Sequence, residues 1–527
     1  MHNQFVYIHH FLERSAEHYP AKTALIHENV RYCYSKVNVL ANKFAHFLVG
    51  SGIGRGDRVI VAMENSLEYV AAYYGILKAG GNAVPLHRDS KTDTLQPVIQ
   101  STEPFAIIAS TPAEKTLLEI QERGIQLPVV VIKKPLLFDR FTCGKHEWAA
   151  IAHSTDDTNP QCDIDEYQVA NLIFTSGSTS RPKGVMLSHA NIVDNVVSIG
   201  NYLKLTNADR QMCVLPYSYV MGKSLLNTHF AAGGSIVINN KFAFTAGVIK
   251  QMAEERVTAF SGVPATFAHL IYRSPLAQYK DKLPALRYVS QAGGHMADHL
   301  KLKLRKLLPS HTEIVVMYGA TEASARLSYL DPSRFSDKMR SIGKAIPGVK
   351  LKILNPGGQP VAQGKVGEVV AQGKNIMQGY WRNEEATHKA LDKDGYHTGD
   401  MGYEDEEGFI FLVGRKDNQL KVGGHRIDPQ EIEDALLATD LLVDVVVAGL
   451  HDALKGKMLA AIAVAVTPDI SEENIRKKLA SQLPKFKVPE KTILVKSLPK
   501  NINGKLDRLR STEMLKALIV ENGERMS

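Results

Sequence analysis

From about residue 20 to residue 410 the chain alternates short apolar runs with helical patterns, and this constrains the fold more than any other feature. Arg58-Val-Ile-Val-Ala62 reads as a strand, Leu67 to Leu77 as a helix, and Asn82-Ala-Val-Pro85 as a strand again. Such alternation predicts an α/β layer architecture. Between Thr111 and Asp165 the pattern weakens and polar residues cluster, so no element boundaries are assigned there. After Pro356-Gly-Gly358 the texture changes to short strands and turns, as in Val366 to Ala371.

At 527 residues the chain exceeds one ordinary core, so two or more domains are expected. A break falls near Gly414-Arg415-Lys416-Asp417, and a compact α+β segment follows. Asp428-Pro429-Gln-Glu431 combines an N-cap, a proline at the first helical position and an acid at the third, which is a helix start. Ile432, Ala435 and Leu436 give that helix an apolar face. Strands are expected at Val443 to Ala448, Leu459 to Val466 and near Thr492 to Val495, with a helix from Glu472 to Leu483.

Composition is globular, 44% hydrophobic and 22% charged. No run reaches the ~18 apolar residues of a membrane span. His9, His10, Glu13 and Arg14 interrupt any leader-like apolar core and leave an amphipathic helix around Phe11 and Leu12. The ending Glu524-Arg-Met-Ser527 is not the peroxisomal Ser-Lys-Leu address, so a cytoplasmic location is expected. Cys33, Cys143, Cys162 and Cys213 lack metal-ligand spacing and read as free thiols. The net charge of +8 comes without a nucleic-acid signature, and most basic residues are interspersed with acids. The exception runs from Arg476 to Lys505, a basic segment suited to a phosphate-rich or acidic partner.

The chemistry begins at Thr175-Ser-Gly-Ser-Thr-Ser-Arg-Pro-Lys183-Gly184, after an apolar run from Val169 to Phe174. Small, hydroxyl-bearing residues let backbone N–H groups and hydroxyls wrap phosphate oxygens, and a lysine offsets their charge. A Walker loop needs Gly before the Lys and Ser or Thr after it; here Pro182 precedes Lys183 and Gly184 follows. Ser188 is the expected N-cap of a helix running through Val196 and Val197.

The ordered string resembles the signature loop of the acyl-adenylate-forming superfamily, which includes acyl-CoA synthetases, peptide-synthetase adenylation domains and luciferases. Ser180 stands where that family usually has Gly. Further segments match in family order and extend the resemblance over nearly the whole chain, including Leu77 to Pro85 and Gly379-Tyr-Trp381. Met317-Tyr318-Gly319-Ala-Thr321-Glu322 resembles the family's Tyr-Gly-x-Thr-Glu motif, which implies Tyr318 against adenine, Thr321 at the α-phosphate and Glu322 on Mg²⁺. Gly293-Gly294-His295 is similar to the adenine-contacting turn, and Tyr396-His-Thr-Gly-Asp400 with Arg415 to the ribose site. Leu498-Pro-Lys-Asn-Ile-Asn-Gly-Lys505 resembles the mobile catalytic-lysine motif.

The resemblance implies a large N-terminal AMP-binding domain, residues 1–414, of three subdomains: two α/β layers and a small β-barrel. It implies a mobile α+β C-terminal lid, residues 415–527, hinged near Asp417, with Lys421, Gly423 and Gly424 on the loop lining the thiol channel. The implied reaction joins a carboxylic acid to ATP as an acyl-adenylate, with Thr175, Ser176, Gly177, Ser178, Thr179 and Lys183 gripping phosphate. A thiol then takes the acyl group.

Tyr219 matches the aromatic gate of the acyl pocket. Domains that activate α-amino acids place an Asp after that aromatic; Val220 stands here, and an ammonium buried against valine would be costly. An acid without that group is expected, aliphatic or fatty among the options. The interval from Glu322 to Glu368 is short for the inserted segment typical of fatty acyl-AMP ligases, which favours a complete ligase transferring to a thiol. The acceptor stays open between CoA, which is favoured, and the phosphopantetheine of an acyl carrier protein. A non-catalytic nucleotide- or acyl-binding protein is the alternative from a different class. The acid's chain length and the oligomeric state are not encoded in any motif.

Overall fold

The computed structural model describes residues 5–175, 182–416, 420–422, 425–452, 456–480, 482–500 and 506–521. Two large mixed sheets, a bent five-stranded sheet and a small C-terminal α+β unit make up the fold, so the α/β expectation holds. The eight-stranded sheet runs Gly379–Tyr380, Lys183–Ser188, Val169–Thr175, Asn82–Leu86, Arg58–Ala62, Ala106–Ala109, Val129–Ile132, Lys145–Glu147. Its first two pairings are antiparallel and the rest parallel. The nine-stranded sheet is parallel through its middle and antiparallel at both ends.

Helix Leu67–Lys78 shows how the core is made. Ser66 caps it by accepting from Tyr69 N–H, and almost every residue from Leu67 to Lys78 is buried. A helix apolar all round belongs in an interior. Its one buried charge, Lys78, is satisfied by Glu13 at 2.7 Å, Asn159 at 2.8 Å and Asn38 at 2.9 Å. Helix His189–Tyr202 begins at Ser188 as expected, with a reciprocal capping box to Asn191.

The segment from 111 to 165, unassigned from sequence, contains helix Thr111–Glu122 and the two outer strands of the eight-stranded sheet. Its strands are short, so the apolar runs were too brief to stand out. The expected small β-barrel is a half-barrel of five antiparallel strands, Val349–Leu354, Gly367–Gly373, Gly395–Glu404, Leu391–Asp392 and Ile410–Arg415.

Beyond Arg415, helix Pro429–Ala438 starts where expected, with the Asp428 side chain accepting from Gln430 N–H. Strands Leu442–Asp452, Gly456–Ala465 and Lys491–Leu494 form a separate sheet covered by buried Ile432, Leu436, Ile475 and Leu479. Helix Glu472–Ala480 is shorter than the sequence suggested. The basic segment is also less bare than it reads. Lys477 pairs with Glu473, Lys487 with Glu431 and Lys500 with Asp444, at 2.6, 2.6 and 2.8 Å.

Candidate active site

The site forms where the three N-terminal sheets meet. Strand Val169–Thr175 and strand Lys183–Ser188 form a hairpin in which Thr175 is paired with Lys183. The expected phosphate-loop residues Ser176, Gly177, Ser178 and Thr179 lie outside the described residues. Gly184 corrects one sequence expectation: it belongs to a strand, not to the loop. A Cβ there would meet Leu172, Phe174 and Trp381 at 3.0–3.2 Å, so this glycine serves close packing.

Strand Gly379–Tyr380 adds to the hairpin edge, with Tyr380 opposite Val185. That pairing brings Tyr380 beside Lys183, whose Nζ lies 5.2 Å from the ring centre, within cation–π range. The Tyr380 hydroxyl donates to Glu322 Oε1 at 2.8 Å. Met377 N–H donates to the Glu322 carbonyl at 2.8 Å, tying the same segment to the end of the nine-stranded sheet. In the sequence Tyr380 belongs only to the general resemblance over Gly379-Tyr-Trp381, which implies no role for it.

Glu322 and buried Thr321 lie on a single 3-10 turn after strand Glu313–Tyr318. Gly319 is required there: a Cβ would fall 2.1 Å from Ala325 O and 2.7 Å from Arg326 Cα. Asn375, fully buried, holds the returning chain by donating to Ala323 O and Arg326 O, both at 3.0 Å.

Strand pairing also brings together the two residues expected at a ribose. Asp400 and Arg415 are direct neighbours across two half-barrel strands. Their side chains lie 3.3 Å apart, and Arg415 also donates to Thr398 O at 3.1 Å. Tyr318 O–H donates to Asp400 Oδ2 at 2.6 Å, linking the half-barrel to the nine-stranded sheet. Burial first, then the negative charge of Asp400, holds the Tyr318 phenol well above its ordinary range. Burial first, then Glu322, raises Tyr380 in the same way. Both phenols are therefore neutral donors at physiological pH.

Gly293 takes φ +80°, a left-handed turn conformation, and Gln291 Nε2 donates to Gly294 O at 2.7 Å. His295 meets the C-terminal unit: its Nε2 lies 2.7 Å from Asp434 Oδ2. Tyr219 precedes helix Val220–Ala231, and Val220 is buried. Lys421 lies in strand Leu420–Val422, its side chain outside the described residues. Asp417, Gly423, Gly424 and Lys505 also lie outside them.

The donor set suits Mg²⁺: one carboxylate, Glu322, with Oε1 oriented by Tyr380, on the same ring as the Lys183 ammonium. Mg²⁺ prefers one or two carboxylates together with phosphate oxygens.

Comparison with known proteins agrees with this geometry. The family described as AMP-binding enzyme matches residues 12–381, and that described as AMP-binding enzyme C-terminal domain matches residues 431–505. The chain belongs to the AMP-binding enzyme family, whose members are acyl-adenylate-forming ligases. Putative acyl-CoA synthetase YngI of Bacillus subtilis is 27% identical over 532 residues, covering 95% of this chain and 96% of that protein. The 2-succinylbenzoate–CoA ligase of Bacillus velezensis is 28% identical over 515 residues, covering 96% and 98%. ATP-bound MatB from Rhodopseudomonas palustris superposes with a TM-score of 0.84 at 26% identity, covering 98% of this chain and 100% of that one. The protein is thus an AMP-forming ligase that uses ATP.

Proposed function

We propose that the protein is a two-step acid–thiol ligase. A substrate carboxylate oxygen attacks the α-phosphorus of ATP, the bond to the β-phosphate breaks, and pyrophosphate leaves. The thiol of CoA then attacks the acyl carbon and AMP leaves. The observation that carries this reading is the convergence on Tyr380 of Lys183 from one sheet and Glu322 from another.

In this reading Thr175, Ser176, Gly177, Ser178, Thr179 and Lys183 hold the outer phosphates, the part that departs. Thr321 contacts the α-phosphate. The Tyr318 ring supports adenine, fixed in plane by its bond to Asp400, and the turn at Gly293, Gly294 and His295 borders the base. Asp400 accepts from the ribose hydroxyls, for which a carboxylate is a stronger acceptor than an amide. Glu322 would hold Mg²⁺, which would neutralise charge on the phosphates. Lys505 would approach the α-phosphate and stabilise the oxygens that gain charge. No protein nucleophile is required.

We assign residues 1–414 to the nucleotide-binding body and 415–527 to a lid turning near Asp417, with Lys421, Gly423 and Gly424 lining the thiol path. Tyr219 and Val220 wall the acyl pocket, and the absence of an acid at Val220 argues for a substrate without an α-amino group. CoA is favoured as acceptor because the full-length relatives above are named as a CoA ligase and an acyl-CoA synthetase. A carrier protein's phosphopantetheine presents the same thiol, so competition decides. With CoA and holo carrier protein both present, acyl-CoA is the expected main product. Exclusive loading of the carrier would overturn the assignment of CoA, and acid-independent release of ADP would overturn the ligase itself.

A further inference from the structure

Arg326 is a buried cation that the nucleotide chemistry leaves unused. It lies on the chain returning from the Thr321–Glu322 turn, past Ser324 at φ 55° and Ala325 at φ 122°, and is 2% exposed. Its backbone is clamped: N–H donates to Asn195 Oδ1 at 3.2 Å, and its carbonyl accepts from Asn195 Nδ2 at 2.8 Å. Its side chain meets only neutral partners, the Tyr202 hydroxyl among them. Nε donates to Met317 Sδ at 3.2 Å, a weak acceptor, and Nη1 to Ala325 O at 3.1 Å. No carboxylate among the described residues forms an ion pair with it; burial acts on it first, and then the phenols of Tyr202, which is also hydrogen-bonded to it, Tyr219 and Tyr288.

A guanidinium cannot shed its proton to escape burial, and a buried charge without a counter-charge is costly. Lys223 provides the contrast. It too is fully buried, but burial pushes its ammonium well below the usual range, and it has Asn171 at 3.1 Å and the Tyr73 ring at 4.4 Å. A second orphan accompanies Arg326. The Tyr288 hydroxyl is buried without a hydrogen-bond partner among the described residues, although such groups are normally paired. Tyr202, whose hydroxyl shares Met317 Sδ at 2.8 Å, is stacked on Tyr329 at 4.1 Å, so this wall is rigid.

We infer that Arg326 and the Tyr288 hydroxyl are the anion-recognising end of the acyl pocket, and that the acid activated here carries a second carboxylate. The inference rests on the reading above in which Tyr219 walls that pocket. The Arg326 Cα lies against Gly319 of the nucleotide motif, so the acid is short. One carboxylate reaches the α-phosphate while the other accepts a two-pronged pair from the guanidinium. A monoacid of equal length would enter but leave the cation bare, and sites with unmet buried polar groups discriminate strongly.

The test is acid-dependent exchange of pyrophosphate into ATP with matched pairs, propanoate against propanedioate through hexanoate against hexanedioate. The wild type should prefer one diacid by on the order of 10²-fold in kcat/KM. Arg326→Met should remove most of that preference while leaving the matching monoacid within about threefold, and Tyr288→Phe should reduce it about tenfold. AMP affinity, measured by calorimetry, should stay unchanged in both. A wild type that prefers monoacids overturns the inference and leaves the ligase reading intact. Equal loss on both acids in Arg326→Met, with AMP affinity retained, overturns it as well. Exchange with no acid of either kind removes the ligase reading and the inference together. If Arg326→Met does not fold, the wild-type preference and Tyr288→Phe decide.

Discussion

The Tyr380 hydroxyl donates a 2.8 Å hydrogen bond to Glu322 Oε1 across 58 positions of sequence, while the Lys183 ammonium sits over the same ring. One phenol thus aligns the carboxylate assigned to the metal and the cation assigned to the phosphates. Tyr380→Phe keeps the ring and removes the bond. A hydrogen bond to a charged group contributes ~1.5–3 kcal/mol, so kcat/KM for ATP should fall at least about tenfold. Titrating Mg²⁺ at fixed ATP should show a higher metal requirement, and an unchanged titration would remove Tyr380 from this role.

Asp400 is held by Tyr318 at 2.6 Å and by Arg415 at 3.3 Å. Asp400→Asn substitutes a neutral amide that must turn an N–H₂ toward one of these donors. AMP affinity should weaken by about tenfold, the loss of one charge-assisted bond. The loss should be smaller for 2′-deoxy-AMP, because the ribose contact is what disappears. Equal losses for both nucleotides would show that the carboxylate acts elsewhere.

Gly319→Ala should damage fold and site together. The added Cβ falls 2.1 Å from Ala325 O, a backbone atom that cannot step aside cheaply. Overpacking of this kind costs about 1–3 kcal/mol, to be read from urea unfolding, with a parallel loss of nucleotide binding.

Burial holds the His189 imidazole down at about 3, and burial also lowers His229. Their folded forms are neutral while the unfolded chain titrates near pH 6.5. The unfolded state therefore takes up protons first as pH falls. The stabilisation is complete above pH 6.5 and is lost as pH drops toward the folded pKa. Between pH 6.5 and pH 5 each histidine should cost ~2 kcal/mol at ~1.4 kcal/mol per pH unit. His189→Gln, which can still accept from Ile8 N–H as Nδ1 does at 3.2 Å, should flatten this slope in urea titrations.

Local signals carried most of the architecture in the sequence. Ser188 and Asp428 cap the helices expected of them because capping depends on residues within one turn. Asp400 and Arg415 were legible through their motifs, although their shared register is a property of the half-barrel. Tyr380 was not legible, since its role arises when a two-residue strand joins a hairpin formed far upstream. Gly184 misled because a glycine closing a Ser/Thr/Gly-rich string resembles part of it, whereas here an added Cβ would meet three side chains. Arg326 belongs to no motif in the sequence, and only packing shows it enclosed. The short strands between 111 and 165 take their register from neighbours, which no local pattern reports.

The most direct test of the central claim is acid-dependent exchange of labelled pyrophosphate into ATP by the full-length protein and by Lys505→Ala. The expected result is exchange with at least one carboxylic acid, reduced by on the order of 10²–10³ in the variant while AMP affinity persists. Absence of exchange across a broad acid panel in a folded, nucleotide-binding protein would contradict the account.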